Sequence, residues 1–158
     1  MKGPTILIPV DFKVASLKTL RIVLEQETDP KVNVILLNAV YQDNSISDLL
    51  FYSASKIINQ KMSKEFSDGL EMIKNHFENK IEDISIKLLN SNNSNYFSNF
   101  VFGNMVSKIY IPKTYALKIG KQEFNPLPLL RKSGLPCIEI DWPVDKSDES
   151  EQLSSLFK

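Results

Sequence analysis

Apolar residues fall along this chain in short runs that alternate with helically spaced stretches. Thr5 to Val10, T-I-L-I-P-V, is almost continuously apolar and of strand length, as in a strand buried on both faces of a parallel sheet. Pro9 has no N–H to give to a ladder, so it belongs near the strand's carboxyl end, with Asp11 at the edge of the following loop. Ser16 stands where a helix cap is wanted. Leu17, Leu20, Val23 and Leu24 then recur at helical spacing until Asp29-Pro30 ends the element. Val32 to Val40, V-N-V-I-L-L-N-A-V, has the length and β-branched content of a second strand.

A polar stretch from Gln42 to Asp48 leads into the longest periodic segment. Ile58, Met62, Phe66, Leu70, Ile73, Phe77 and Ile81 mark one face of a single long helix, flanked by Lys61, Lys64, Glu65 and Asp68. Ile84, Ile86 and Leu88 alternate as a third strand. Ser91 to Ser98 reads as a polar, Asn-rich connection, and Phe97, Phe100, Val101 and Met105 as a short helix. Val106 to Ile111 is a fourth strand, followed by a loop from Pro112 to Glu123. Pro126 opens a further helix carried by Leu127, Leu129, Leu130 and Arg131, which Gly134 stops. Leu135 to Trp142 is a fifth strand. The alternation implies βαβ units around a parallel sheet, a single-domain three-layer α/β/α architecture over residues 1–143. Residues 144–158 are acidic and Ser-rich and are expected to form a mobile tail, in which Leu153, Leu156 and Phe157 could still dock.

Charge and composition narrow the function classes. The chain has 158 residues with 19 basic and 19 acidic side chains, so it lacks the electrostatic footprint of a nucleic-acid binder. No apolar run approaches the roughly 20 residues that span a bilayer, and Met1-Lys2-Gly3-Pro4 leads straight into a strand without a signal-peptide pattern. A cytoplasmic protein is expected. One Cys and one His exclude an internal disulfide and the usual zinc ligand set. His76, among Lys74, Asn75 and Glu78, reads as a surface histidine rather than a general base, and Cys137 as a buried strand cysteine.

The run I-L-I-P-V-D-F at 6 to 12, followed by A-S-L-K-T-L at 15 to 20, resembles the opening of the universal stress proteins. The second strand ending at Ala39-Val40 and the closing S-G-L-P-C-I-E-I at 133 to 140 are also similar, and the resemblance spans roughly residues 3 to 142. It implies a five-stranded parallel sheet in order 3-2-1-4-5, with ligands bound where the winding reverses between strands 1 and 4. The candidate contact residues are then Pro9, Val10, Asp11 and Phe12 after the first strand, Ala39 and Val40 after the second, and Pro112 and Lys113 after the fourth.

Family members that hold nucleotides wrap the phosphates with a Gly-x2-Gly-x9-Gly-Ser/Thr loop after strand 4. Here that stretch reads P-K-T-Y-A-L-K-I-G-K-Q-E-F-N-P-L, with Gly120 as its one glycine. Phosphate cradling needs inward-facing amides free of side chains. Pro112 has no N–H, Tyr115 and Leu117 are bulky, and a helix starting near Glu123 repels anions. Lys113, Lys118 and Lys121 compensate little and read as a solvated face. The expectation is a non-enzymatic stress-response or regulatory module without a cofactor, the alternative being a sensor of ATP, AMP or another small ligand. An enzyme of the related nucleotide α-hydrolase fold is disfavoured, because Asp11-Phe12-Lys13 stands where such enzymes carry a Ser-Gly-Gly phosphate loop. The resemblance also implies a homodimer paired through Leu135–Trp142, which would protect an apolar edge strand; neither nucleic acid nor membrane is an expected partner.

Overall fold

The computed structural model describes residues 3–28, 31–41, 54–142 and Leu156. Five parallel strands, β1 (Thr5–Pro9), β2 (Val32–Ala39), β3 (Ile81–Leu89), β4 (Val106–Pro112) and β5 (Cys137–Ile140), form one sheet in the order β3-β2-β1-β4-β5. β1 lies at its centre, and its alternating side chains feed two separate cores. Ile6, Ile8 and Val10 point to one face, where α1 (Lys18–Gln26) and α3 (Lys64–His76) pack. Leu7 points to the other, against Phe97 of α4 (Ser94–Gly103) and Leu129 and Leu130 of α5 (Leu127–Arg131). Pro9 is the last residue of β1, opposite Leu37, so its missing N–H falls where the ladder stops. No helix among the described residues is long and apolar enough to cross a membrane.

Four readings of the sequence change. The single long helix over 58–81 is two helices, α2 (Ala54–Lys61) and α3, and Ile81 belongs to β3. Ser63 makes the break: its backbone is extended and its Oγ accepts the Phe66 N–H at 3.1 Å, capping α3. The same hydroxyl donates to the Phe12 carbonyl at 3.3 Å and ties the break to the turn after β1. The apolar spacing runs on through the break because Met62 and Ile81 pack against the same core as α3.

Ser16 does not cap α1. It lies in a 3-10 turn (Val14–Leu17), and the residue before α1, Leu17, makes no side-chain capping bond. Its hydroxyl donates to the Lys13 carbonyl at 2.8 Å and accepts the Asp11 N–H at 3.3 Å. The connection after β3 is shorter than Ser91–Ser98, because Asn93 Oδ1 accepts the amides of Asn95 and Tyr96 and α4 starts at Ser94. Met105 lies beyond this helix, exposed and with φ of 57°. Finally, no helix starts near Glu123. That residue forms an isolated antiparallel bridge with Val40, and α5 begins at Leu127. The segments 42–48 and 144–158 lie outside the described residues except Leu156, which is buried in the α1-side core.

Replacing Ser63 with Ala removes a helix cap and a bond to Phe12. An expected loss of about 1–2 kcal/mol is read as a lower urea midpoint with an unchanged slope.

Candidate functional site

The carboxyl ends of β1 and β2 and the loop after β4 meet around Asp11, a 7% exposed carboxylate. A buried charge of this kind requires donors, because losing water without replacement costs several kcal/mol. Asp11 Oδ1 accepts the Lys13 N–H at 2.9 Å, closing the tight turn after β1. Asp11 Oδ2 accepts the Tyr115 hydroxyl at 2.6 Å and the Lys118 N–H at 2.8 Å. Charge-assisted bonds of this length are the stronger kind. Phe12 follows with φ of 63°, a sparsely allowed conformation for a bulky side chain. Its ring is buried, edge-on to Phe66 at 5.4 Å between centroids, and this packing holds the turn in its costly shape.

Tyr115 is buried, its ring stacked on Trp142 at 4.6 Å between centroids and 21° between planes. Trp142 is fixed in turn by its Nε1–H, which donates to Thr19 Oγ1 at 3.0 Å, and by Lys18 Nζ at 5.7 Å from its ring centroid. The loop therefore enters the crevice between β1 and β4.

Residues 122–124 cover the end of β2. Tyr41 N–H donates to the Gln122 carbonyl at 2.8 Å and Phe124 N–H to the Ala39 carbonyl at 3.2 Å. Val40 donates its N–H to Leu89 and accepts from Asn90 Nδ2. Glu123 is fixed by three donors, Asn38 Nδ2 at 3.1 Å, Gly120 N–H at 3.1 Å and Lys61 Nζ at 3.3 Å. Asn38 Nδ2 also donates to the Val10 carbonyl at 3.0 Å, while its Oδ1 is buried with no partner among the described residues.

A cavity of about 310 Å³ remains, lined by Asp11, Phe12, Lys13, Lys61, Lys118, Ile119, Gly120 and Glu123. Of the eight residues singled out in the sequence, Asp11 and Phe12 line it. Pro9 and Val10 support it from β1; the backbones of Ala39 and Val40 are engaged by neighbouring chain; Pro112 ends β4 opposite Ile140. Lys113 donates its N–H to the Ile140 carbonyl and its side chain is exposed, away from the cavity lining. Lys61, Asn38 and Glu123 complete the cavity wall and its support, from α2, β2 and the loop.

Cys137 is half-buried on β5, and burial raises its thiol above the ordinary value despite the nearby Arg131 charge. Less thiolate means a less reactive cysteine. His76 ends α3 with its ring edge-on to Phe77. No cluster of three or more His, Cys, Asp or Glu among the described residues could hold a metal ion.

The strand order and the flanking helices match those of solved structures. A universal stress protein from Archaeoglobus fulgidus has 18% sequence identity and a TM-score of 0.51, covering 89% of this chain and 95% of that one. UspA from Lactobacillus plantarum gives 10% identity and a TM-score of 0.52 over 90% and 99% of the two chains. A universal stress protein family protein from Arabidopsis thaliana with AMP bound gives 9% and 0.54, over 94% and 98%.

The chain has the fold of the universal stress proteins.

No family model and no curated protein sequence matches it. Within that fold the switch point between β1 and β4 is where open α/β sheets bind ligands, and here the chain's own loop lies in it.

Tyr115→Phe keeps the ring and removes the donor to Asp11. A loss of about 1.5–3 kcal/mol is expected for a buried bond to a charged group, measured by denaturant unfolding; a change below about 0.5 kcal/mol would show that water replaces the phenol at no cost.

Proposed function

We propose that the chain is a cytoplasmic, non-enzymatic module of the universal-stress-protein type, acting in stress response or regulation, that does not bind ATP in the usual way. The observation that carries this reading is that both carboxylate oxygens of Asp11 are already engaged by the chain itself, through Lys13, Tyr115 and Lys118. A nucleotide arriving at the end of β1 meets a carboxylate whose two oxygens are both already hydrogen-bonded within the chain, and backbone groups at the end of β2 that are paired with residues 122–124. Between Lys113 and Gly120 the loop meets Asp11 with the Tyr115 hydroxyl and the Lys118 amide, not with a row of free amides.

A second reading, a sensor for a small ligand, is favoured by one feature. The remaining cavity of about 310 Å³ brings Lys13, Lys61 and Lys118 around two carboxylates that are both already hydrogen-bonded. Its volume is at the lower end of ligand pockets. The AMP bound in the A. thaliana protein of this fold makes adenine nucleotides the first compounds to test.

A homodimer paired through β5 belongs to the same proposal. Cys137–Ile140 is an edge strand, and Ile138 on it is 38% exposed.

Isothermal titration with ATP and with AMP checks the main reading. No heat of binding is expected up to about millimolar nucleotide, a free energy near 4 kcal/mol. Micromolar binding that Asp11→Ala abolishes would overturn it.

A further inference from the structure

Tyr115 occupies its site as a ligand would. Its ring lies flat on Trp142, its hydroxyl points to a buried carboxylate at 2.6 Å, and the ring joins the α1-side core. The receptor half of this arrangement is built independently of the loop. Trp142 is oriented by Thr19 and Lys18 from α1, and Asp11 by Lys13 and by Ser16, whose hydroxyl accepts the Asp11 N–H. What the loop contributes is one aromatic ring with one hydrogen-bond donor, and the Lys118 amide beside it.

Apart from the contacts of the Tyr115 side chain itself, the backbone of that loop has few bonds among the described residues. Among the described residues, no backbone–backbone hydrogen bond is made by residues 114–119. Thr114, Ala116 and Lys118 to Lys121 are exposed. The firm attachments lie at the two ends, Lys113 to Ile140 and Gln122 to Phe124 on β2. A segment with few backbone bonds between firm ends is the kind that opens locally while the sheet stays folded.

From these observations we infer that the crevice is a binding site for a phenol-type ring, a planar aromatic group carrying a hydroxyl donor, and that Tyr115 is a displaceable internal occupant of it. The inference rests on the reading that the loop closes the crevice, and it adds the chemical class that competes with the loop. Trp142 supplies the stacking face, worth about 0.5–1.5 kcal/mol beyond area burial. Asp11 selects for the hydroxyl, because a ring without a donor leaves a buried carboxylate oxygen short of a partner. Entry of such a ligand expels Tyr115 from Trp142, so the chain's one tryptophan reports the exchange.

The test empties the site and refills it. Tyr115→Ala leaves a ring-sized void, and an apolar cavity of roughly 150 Å³ is enough to take up benzene. With about 10 mM p-cresol the variant is expected to gain about 3–6 °C in melting temperature and to recover the Trp142 emission of the unsubstituted chain. Toluene, equal in ring but lacking the hydroxyl, is expected to give less than half of that gain. In the Asp11→Leu, Tyr115→Ala double variant, which has no side-chain acceptor at position 11, the two compounds should become equivalent. No gain from p-cresol, or an equal gain from toluene in the single variant, overturns the inference.

Hydrogen exchange on the unsubstituted chain gives a second measurement, should Tyr115→Ala not fold. The Lys118 amide is expected to exchange at least about 100-fold faster than that of Leu7, with a rate that low denaturant leaves unchanged. Exchange of both amides at one denaturant-dependent rate would mean that the loop opens only with the sheet, and Tyr115 would not be displaceable. Micromolar ATP binding would defeat the functional proposal above, whereas these measurements read the Tyr115 site directly, so the two failures are distinguishable.

Discussion

The carboxylate of Asp11 is the constraint around which the crevice is organised. It sits at the end of the central strand, almost fully removed from water, and cannot stay charged there without donors. The local turn provides one through Lys13, and Ser16 takes up the backbone N–H behind it. That leaves Oδ2 facing the opening between β1 and β4. Something must meet it, and in this chain it is a phenol and an amide from a loop 104 and 107 residues further on. The strained backbone of Phe12 belongs to the same construction, since the positive φ turns the chain sharply enough to leave Asp11 at the lip while Phe12 packs on Phe66.

A second set of contacts makes the closure two-sided. Glu123 reaches back across the end of β2 to Asn38 and sideways to Lys61 at the end of α2. Ser63, two residues beyond Lys61, bonds the Phe12 carbonyl, so the break between α2 and α3 fixes both the helix end that carries Lys61 and the turn that carries Asp11. A straight helix through this point would lack the Ser63 cap and the bond to Phe12. The wall of the crevice thus depends on a helix interruption as much as on the strands.

Much of the fold is legible in the apolar pattern, because each strand and helix must bury a face and the spacing of that face differs between them. Strand order is not, and came from the likeness of I-L-I-P-V-D-F and S-G-L-P-C-I-E-I to one family. The long helix misled because Met62 and Ile81 continue the spacing of α3 while packing on the same core from a break and from a strand. Ser63 was the local signal for the cap. The site was harder to read. Asp11 stood out by its position after the first strand, but its partners Tyr115 and Lys118 carry no local mark of that pairing. Glu123 looked like a helix start, and its pairing with Val40 depends on a bridge between segments 83 residues apart.

The scarcity of glycine after β4 and the filling of the crevice have one physical basis. A glycine-rich loop holds its amides toward a ligand because it has no side chains to bury. Give such a loop a Tyr and a Leu beside an apolar crevice, and burying them favours inward collapse, by about 1.5–3 kcal/mol for each large side chain fully covered. Tyr115 is buried against Trp142, and Leu117 packs partly against the same core. Gly120 fits this account. A Cβ on Gly120 would meet Glu123 Oε1 at 2.5 Å, so Gly120 makes room for the chain's own carboxylate. Its N–H donates to that same oxygen, in the manner in which a phosphate-binding loop would offer it to a ligand. Donors and space that an anion would need are thus used by Glu123, and those that a ring at Asp11 would need are used by Tyr115. The two are independent side chains on one loop, so relieving the first by substitution leaves the second in place.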